Sequence, residues 1–382
     1  MIETIGIILA ILGLIFAFDA PRRAFIGLFR KNIPIEFLVQ AIEDTDVEEK
    51  LAECLISYYQ KAGLLPAGTS LYRNSDTTYP IIVRDEWVSN PAQTPSGISV
   101  QLNLIGRRGP IDYPKLAHEF KQALEKLNRE VHDNPAYAVE SILTDGNSIL
   151  LNVRIAHYFD YVFTAQILDA ELRLGLARGS LNSKTLEHRK TIGVLNFDRY
   201  MAKVGLNVLC TYISEDEPVF LLMDRSTMVM NRPLEYPNAI HVVPAGTVQP
   251  TGRELTNDAD LSLTNTLIRE WAEELWDDDD NAKKLLADDL RFGTAKFILT
   301  AIGVDALTQK IEVCGLLILF RAFTPVTIQS PEGVIRRVNR KELEARALDV
   351  QRILPAGALA IWQGLKHLDQ SLESWVLTRP NL

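Results

Sequence analysis

The most informative stretch of the chain is LTNTLIREWAEELWD, which runs from Leu263 to Asp277. Its apolar residues recur at every fourth position, at Leu263, Leu267, Trp271 and Leu275. Residues at this spacing share one face of a helix. The pattern therefore predicts an amphipathic helix whose apolar stripe packs on a sheet.

The other side of this predicted helix carries carboxylates. They stand at i, i+3, i+4 and i+7, at Glu270, Glu273, Glu274 and Asp277. Like charges at this spacing destabilise an isolated helix by roughly 0.2–0.5 kcal/mol per pair. We therefore expect a positive partner, either Arg269 or a divalent cation such as Mg²⁺, which prefers carboxylate oxygens. Without such a partner, the acidic side is a solvated helix face.

The hexapeptide REWAEE, from Arg269 to Glu274, resembles the REUxEE core of the Nudix box, in which U is a bulky apolar residue. Upstream, the segment YPNAIHVVPAGTVQP (236–250) is similar to the one that this family places before the box. Two strand-like stretches, FGTAKFILTAIGVD and KIEVCGLLILFRAF, follow the helix in the order that the family uses. The resemblance covers about residues 205 to 370. It implies a Nudix-like α/β/α sandwich with a mixed sheet.

The resemblance also implies roles for the acidic residues. Glu270, Glu273 and Glu274 would bind Mg²⁺ or Mn²⁺, Glu273 and Glu274 would be the catalytic carboxylates, and Arg269 would fix the helix through an ion pair. A site of this kind hydrolyses a nucleoside diphosphate linked to another group. The metal makes a water molecule more acidic, and a carboxylate takes its proton.

The chain departs from the full box, GX5EX7REUXEEXGU. Leu255 and Leu261 stand where the box has its first glycine and first glutamate, and Trp276 replaces the late glycine. Gly246 and Glu254 take the places of the first glycine and the first glutamate if residues 249–260 are an insertion. These departures weaken the expectation of hydrolysis more than the expectation of a ligand pocket.

A second feature lies at the amino end, where IGIILAILGLIFAF (5–18) is an uninterrupted apolar run. As a helix it spans about 21 Å, against about 30 Å for the hydrocarbon core of a bilayer. Basic residues follow the run and none precedes it, which predicts a cytoplasmic remainder. We expect a single-pass membrane anchor, held by Ile5, Leu9, Leu12 and Phe16. A secretory signal peptide, a buried helix and an interfacial helix are the alternatives.

Composition excludes several other classes of protein. The 382 residues carry a net charge of −9 and are 47% hydrophobic, which favours a large core and argues against a DNA or RNA duplex as partner. The three cysteines include no Cys-x-x-Cys pair, so neither a disulfide scaffold nor a cysteine zinc site is expected. No phosphate-binding loop or Gly-x-Gly-x-x-Gly turn occurs in the sequence.

We predict an α+β protein in three parts. These are an anchor (1–32), an α+β region without a recognisable motif (33–190) and the Nudix-like region (191–382). Within the middle part, the patterns predict helices over 51–59, 113–132 and 165–178 and strands over 97–106 and 148–164.

Two functions fit this organisation. The architecture resembles the membrane-anchored Nudix effectors of bacterial cyclic-oligonucleotide (CBASS) antiphage systems. That resemblance implies a nucleotide or cyclic oligonucleotide ligand, a membrane and a homo-oligomer as partners, with no cofactor. The alternative is a membrane-tethered Nudix hydrolase that needs Mg²⁺ or Mn²⁺.

Overall fold

The computed structural model describes residues 36, 39–41, 50–109, 116–126, 133–177, 179, 186–214, 217–225, 239–251, 258–320, 329–330 and 333–378. The predicted anchor, with Ile5, Leu9, Leu12 and Phe16, lies outside these ranges. Among the helices of the described ranges, none combines the length and apolar character that a membrane span requires.

The described chain is α+β, as predicted. Its helices are α1 (Leu51–Ala62), α2 (Leu116–Lys126), α3 (Tyr158–Tyr161), α4 (Ile167–Ala177), α5 (Glu187–Ile192), α6 (Leu263–Leu275), α7 (Asp280–Phe292), α8 (Arg340–Ala347) and α9 (Pro355–Thr378). Its strands are β1 (Ser70–Asn74), β2 (Thr77–Val83), β3 (Ser99–Arg107), β4 (Pro135–Asp145), β5 (Ser148–His157), β6 (Ala202–Ser214), β7 (Glu217–Asp224), β8 (Ile240–Val242), β9 (Ala245–Thr247), β10 (Ala295–Asp305), β11 (Ile311–Leu319), β12 (Gln329–Ser330) and β13 (Gly333–Val338).

Strand β6 is the centre of a mixed sheet with the order β1-β2-β10-β11-β6-β4-β5-β3. One edge of β6 pairs in parallel with β11. Its other edge pairs antiparallel with β4, β9 and β7 in turn. Because β2 also pairs with β10, strands from both sides of residue 190 are hydrogen-bonded in one sheet. The boundary between the middle and Nudix-like regions stays a prediction.

Helices cover both faces of this sheet. On one face, Leu267 and Trp271 of α6 share a core with Val208 of β6. On the other face, Leu359 of α9 shares a second core with Leu209 of β6. Successive residues of β6 therefore enter different cores, which explains why both faces of this strand are apolar.

The local predictions for the middle region had mixed outcomes. Helix α1 is confirmed, and Gly63 closes it in the left-handed conformation (φ 56°). Strand β3 is confirmed, and the helix predicted over 113–132 is observed as α2. The strand predicted over 148–164 is wrong beyond His157, where the chain turns into α3 and then a π-helical turn (Val162–Gln166) that leads into α4.

The cause of that error is a helix start within an apolar run. The Asp160 carboxylate accepts the N–H of His157 at 3.1 Å, and Asp133 accepts the N–H of Phe159 at 3.0 Å. The β-branched and aromatic residues that follow are buried on all sides of the chain. Their sequence therefore shows no alternation of polar and apolar residues by which a helix could be distinguished from a strand.

The turn between β10 and β11, residues 305–310, is here called the hairpin tip. The Asp305 carboxylate organises it by accepting the N–H groups of Leu307 at 2.6 Å and Thr308 at 2.9 Å. Burial raises the pKa of the Asp305 carboxyl to about 6, although the hydrogen bond from Thr308 acts in the opposite direction. The protonated form of this acid is therefore more favourable in the folded protein than in the unfolded chain.

The substitution Asp305→Asn keeps an oxygen acceptor for these N–H groups and removes the charge. The contribution of Asp305 to stability is complete below its ordinary pKa of 3.8 and is lost as the pH rises through about 6. We therefore expect the variant to gain about 2 kcal/mol of unfolding free energy over the wild type between about pH 4.5 and about pH 7.5. Urea unfolding at both pH values measures this. The exposed Asp76→Asn is the control, and an unchanged pH dependence in D305N would contradict the prediction.

Candidate functional site

Helix α6 carries the predicted site, and its ends are set locally. The Ser262 hydroxyl accepts the N–H of Asn265 at 3.2 Å and caps the first turn. The four apolar residues of the predicted stripe are all buried. The helix ends at Leu275, and Asp277 follows in the left-handed conformation (φ 55°). Asp277 therefore does not share the helical face with the other carboxylates, contrary to expectation.

The acidic side of α6 is not a solvated face. Glu270 and Glu274 are only 7% and 6% exposed, whereas the side chain of Glu273 is 42% exposed. The two buried carboxylates lie against β9, the short strand that begins at the alanine of the Pro-Ala-Gly turn (244–246). A buried carboxylate needs hydrogen bonds or an opposite charge, so the groups that meet them determine the chemistry of the site.

Arg269 supplies the positive charge. Its Nη2 lies 2.7 Å from Oε1 of Glu270 and donates to the carbonyl of Thr247 at 2.8 Å. Its Nη1 lies 3.2 Å from Oε2 of Glu273. One guanidinium group thus joins two carboxylates of α6 to the backbone of β9, using the planar donor geometry that distinguishes arginine from lysine.

Gly246 allows the close approach of α6 to β9. It pairs with Leu206 of β6, and a Cβ atom built at Gly246 would lie 1.9 Å from Oε1 of Glu270. A neighbouring contact uses the other buried carboxylate, since Oε2 of Glu274 accepts the N–H of Ala245 at 2.8 Å. The Pro-Ala-Gly turn and the acidic helix are therefore in direct contact through two carboxylates.

The carboxylates do not assemble a metal site in this arrangement. Glu270 faces Arg269 and Gly246, Glu274 faces the N–H of Ala245, and Glu273 lies at the surface. Within the described ranges, no three His, Cys, Asp or Glu side chains are grouped to hold a metal ion. The donor chemistry suits Mg²⁺ or Mn²⁺, but the geometry does not fit either ion. Metal binding by these residues stays a prediction.

The loop predicted as an insertion is closed at its ends by Asp260. Oδ2 of Asp260 accepts the N–H of Thr251 at 3.2 Å, and Oδ1 of Asp260 accepts the hydroxyl of Thr251 at 2.5 Å. Residues 252–257 between them lie outside the described ranges. The sequence analysis did not predict the link between Thr251 and Asp260. It also did not predict the contacts that the backbone groups of Ala245 and Thr247 make with α6, because a main-chain donor or acceptor has no residue-type signal.

Comparison with known proteins gives a limited result. No protein-family model matches the chain. No curated protein matches it. Similar solved structures include Nudix proteins, at low identity and over part of this chain.

Three of these structures illustrate the similarity. The NUDIX domain of Shewanella oneidensis NrtR complexed with ADP ribose is 14% identical, with 45% of this chain and 88% of that chain covered and a TM-score of 0.27. A C. elegans Ap4A hydrolase in a binary complex is 16% identical, with 45% and 99% covered and a TM-score of 0.26. The M. smegmatis Nudix hydrolase RenU is 14% identical, with 48% and 93% covered and a TM-score of 0.23. Neither an activity nor a ligand of this chain follows from them.

The contact between Gly246 and Glu270 can be tested with Gly246→Ala. The added methyl group must displace a buried carboxylate from Arg269, so we expect a loss of about 2–3 kcal/mol in urea unfolding. Gly109→Ala is the matched control because a Cβ there meets nothing within 4 Å. In a Glu270→Ala background, the same G246A change should cost far less. A G246A variant as stable as G109A would show that the contact has no energetic role.

Proposed function

We propose that this chain is a membrane-anchored effector of a bacterial antiphage defence system of the CBASS type. Its Nudix-like region binds a cyclic oligonucleotide second messenger, and binding leads to membrane impairment and cell death. The observation that carries this proposal is the engagement of the acidic helix by the protein itself. Arg269 bonds Glu270 and Glu273, and the backbone of β9 bonds Glu274.

The contacts that α6 carboxylates make with Arg269 and with the backbone of β9 favour ligand binding over hydrolysis. A Nudix hydrolase uses its box carboxylates for metal and base chemistry, which requires that they face a shared ion. Here the two buried carboxylates hold α6 on β9. Leu255, Leu261 and Trp276 already depart from the box. A receptor does not require carboxylates that face a metal ion.

The proposed mechanism places the response in the amino-terminal segment. The ligand favours association of protomers and brings their apolar segments together in the bacterial inner membrane. A ligand shifts such an equilibrium only by its differential affinity for the two states. Short apolar helices cluster more readily in a thicker bilayer, so a modest differential affinity is enough.

A second candidate function is hydrolysis of a nucleoside-diphosphate-linked compound. The observation in its favour is the partly exposed carboxylate of Glu273, which adjoins two further carboxylates on the same helix. In that function a divalent ion would supply charge neutralisation at the diphosphate. Glu273 would then have to separate from Arg269 to meet it.

A binding experiment separates the two functions. The full chain in detergent is titrated calorimetrically with cyclic oligonucleotides and nucleoside diphosphate derivatives, in Mg²⁺ and in chelator, while phosphate release is followed. We expect a cyclic oligonucleotide to bind with the same affinity in both conditions and without turnover. The single variant Glu273→Gln keeps the side-chain shape and leaves the buried Glu274 in place, so it should retain phage protection. Mg²⁺-dependent phosphate release that disappears in E273Q would establish the hydrolase instead.

The membrane step has its own test. We expect that deleting residues 1–20 abolishes toxicity in cells that make the messenger, while ligand binding by the purified protein is unchanged. The matched control replaces residues 5–18 by an unrelated apolar sequence of equal length and should remain toxic. If cells that express the deletion variant are still killed, the amino-terminal segment is not needed for toxicity and the proposed membrane step is wrong.

A further inference from the structure

The hairpin tip is buried, although chain reversals usually lie at the protein surface. Ala306 and Gln309 have no exposed surface. The N–H of Ala306 donates to the carbonyl of Pro80 at 3.0 Å, and its carbonyl accepts the hydroxyl of Tyr59 at 3.3 Å. The tip of a hairpin from the carboxyl half is therefore enclosed by α1 and β2, which belong to the middle region.

Arg189 joins the hairpin tip to three helices. This side chain of α5 is 2% exposed. Its Nη1 donates to the hydroxyl of Tyr59 on α1 at 2.9 Å and to the carbonyl of Ala306. Its Nη2 donates to the carbonyl of Leu168 on α4 at 3.1 Å and to the carbonyl of Leu307. A single cation thus fixes the positions of α1, α4, α5 and the tip relative to one another.

A carboxylate accompanies this buried cation. Both oxygens of Glu171 on α4 accept backbone N–H groups at the start of α5, from His188 at 2.7 Å and Arg189 at 3.0 Å. Charge and hydrogen bonding therefore lock α4 and α5 together. The contact of the tip with Tyr59 on α1 lies outside this α4–α5 lock.

Gln309 shows that the tip is held in a strained state. Its backbone is left-handed (φ 57°), a conformation that favours glycine. Both polar atoms of its buried side-chain amide have no hydrogen-bond partner among the described residues. Strain of this kind persists only where the surroundings impose it, and it is found in segments that switch between arrangements.

We propose that the hairpin tip is a coupling element through which the carboxyl-terminal sheet and α1 exchange conformational change, with Arg189 as the positioning residue. The path consists of backbone strand pairing up to β11, and the Tyr59 hydroxyl then joins the tip to α1. Gly246 of β9 pairs with β6, β6 pairs with β11, and β11 leads directly into the tip. Helix α1 lies at the other end and follows the amino-terminal segment in the chain. This coupling requires no particular ligand, so it stands or falls independently of the proposed function.

Hydrogen exchange of the full chain in detergent tests the coupling from the α1 side. Tyr59→Phe removes the hydroxyl shared by Arg189 and Ala306. Tyr72→Phe is the matched control, since this buried hydroxyl accepts from Gln363 on α9 at 2.8 Å and lies outside the network. We expect Y59F to speed exchange about tenfold in α1, in the hairpin tip and in β9. Y72F should affect β1 and α9 only. Equal effects of the two variants on α1 would overturn the proposal.

The reverse test starts from the tip. Gln309→Gly relieves the left-handed strain and removes the unpaired amide, so the present arrangement of the tip becomes more populated. We expect exchange in α1 to slow by threefold or more. Ser75→Gly is the matched control, because it relieves the same kind of strain (φ 51°) in the exposed turn between β1 and β2. Slower exchange confined to the tip, or the same slowing of α1 in S75G, would overturn the proposal. This arm remains decisive if Y59F does not fold.

Discussion

The docking of α6 depends on two carboxylates that are buried against the backbone of β9. A buried charge without partners costs several kcal/mol, and Arg269 and the N–H of Ala245 are partners of this kind for Glu270 and Glu274. Gly246 is part of the same constraint, since a side chain there would occupy the position of the Glu270 carboxylate. The apolar stripe of α6 determines which side of the helix meets the sheet, and these polar contacts determine its depth and register. The proposed function depends on this arrangement because it commits these carboxylates to contacts within the protein.

The features that the sequence predicts well are those that neighbouring residues determine. The stripe of α6 and the glycine that ends α1 follow from spacing and from backbone conformational preference. The burial of Glu270 and Glu274 was not predictable in this way, because it depends on β9, which reaches α6 only in the folded chain. The prediction of a strand over residues 148–164 was wrong beyond His157 for a related reason. Its residues are buried on all sides, and Asp160, rather than any change of periodicity, starts the helix.

The middle region acquires a structural role that its sequence does not indicate. It contributes β4 to one edge of β6 and β2 to the edge of β10, so it extends the sheet at two separate places. It also contributes Tyr59 and Arg189, which donate hydrogen bonds to the tip of the β10–β11 hairpin. Each of these contacts joins residues far apart in the chain, and such pairings leave no trace in a local pattern. The region that carries no recognisable motif therefore holds the carboxyl-terminal hairpin in position through these contacts.

The pairing of β6 has a consequence for the synthesis of this protein. Nine of its residues find their parallel partners in β11, which leaves the ribosome more than a hundred residues later. Until then, one edge of a thirteen-residue, largely apolar strand is exposed. Exposed strand edges of this kind are templates for aggregation, and sheets built from distant strands form slowly. A nascent or prematurely terminated chain that ends before β11 thus exposes an apolar strand edge of the kind that chaperones and proteases recognise. The time for which it depends on chaperones is the time needed to synthesise the residues between β6 and β11.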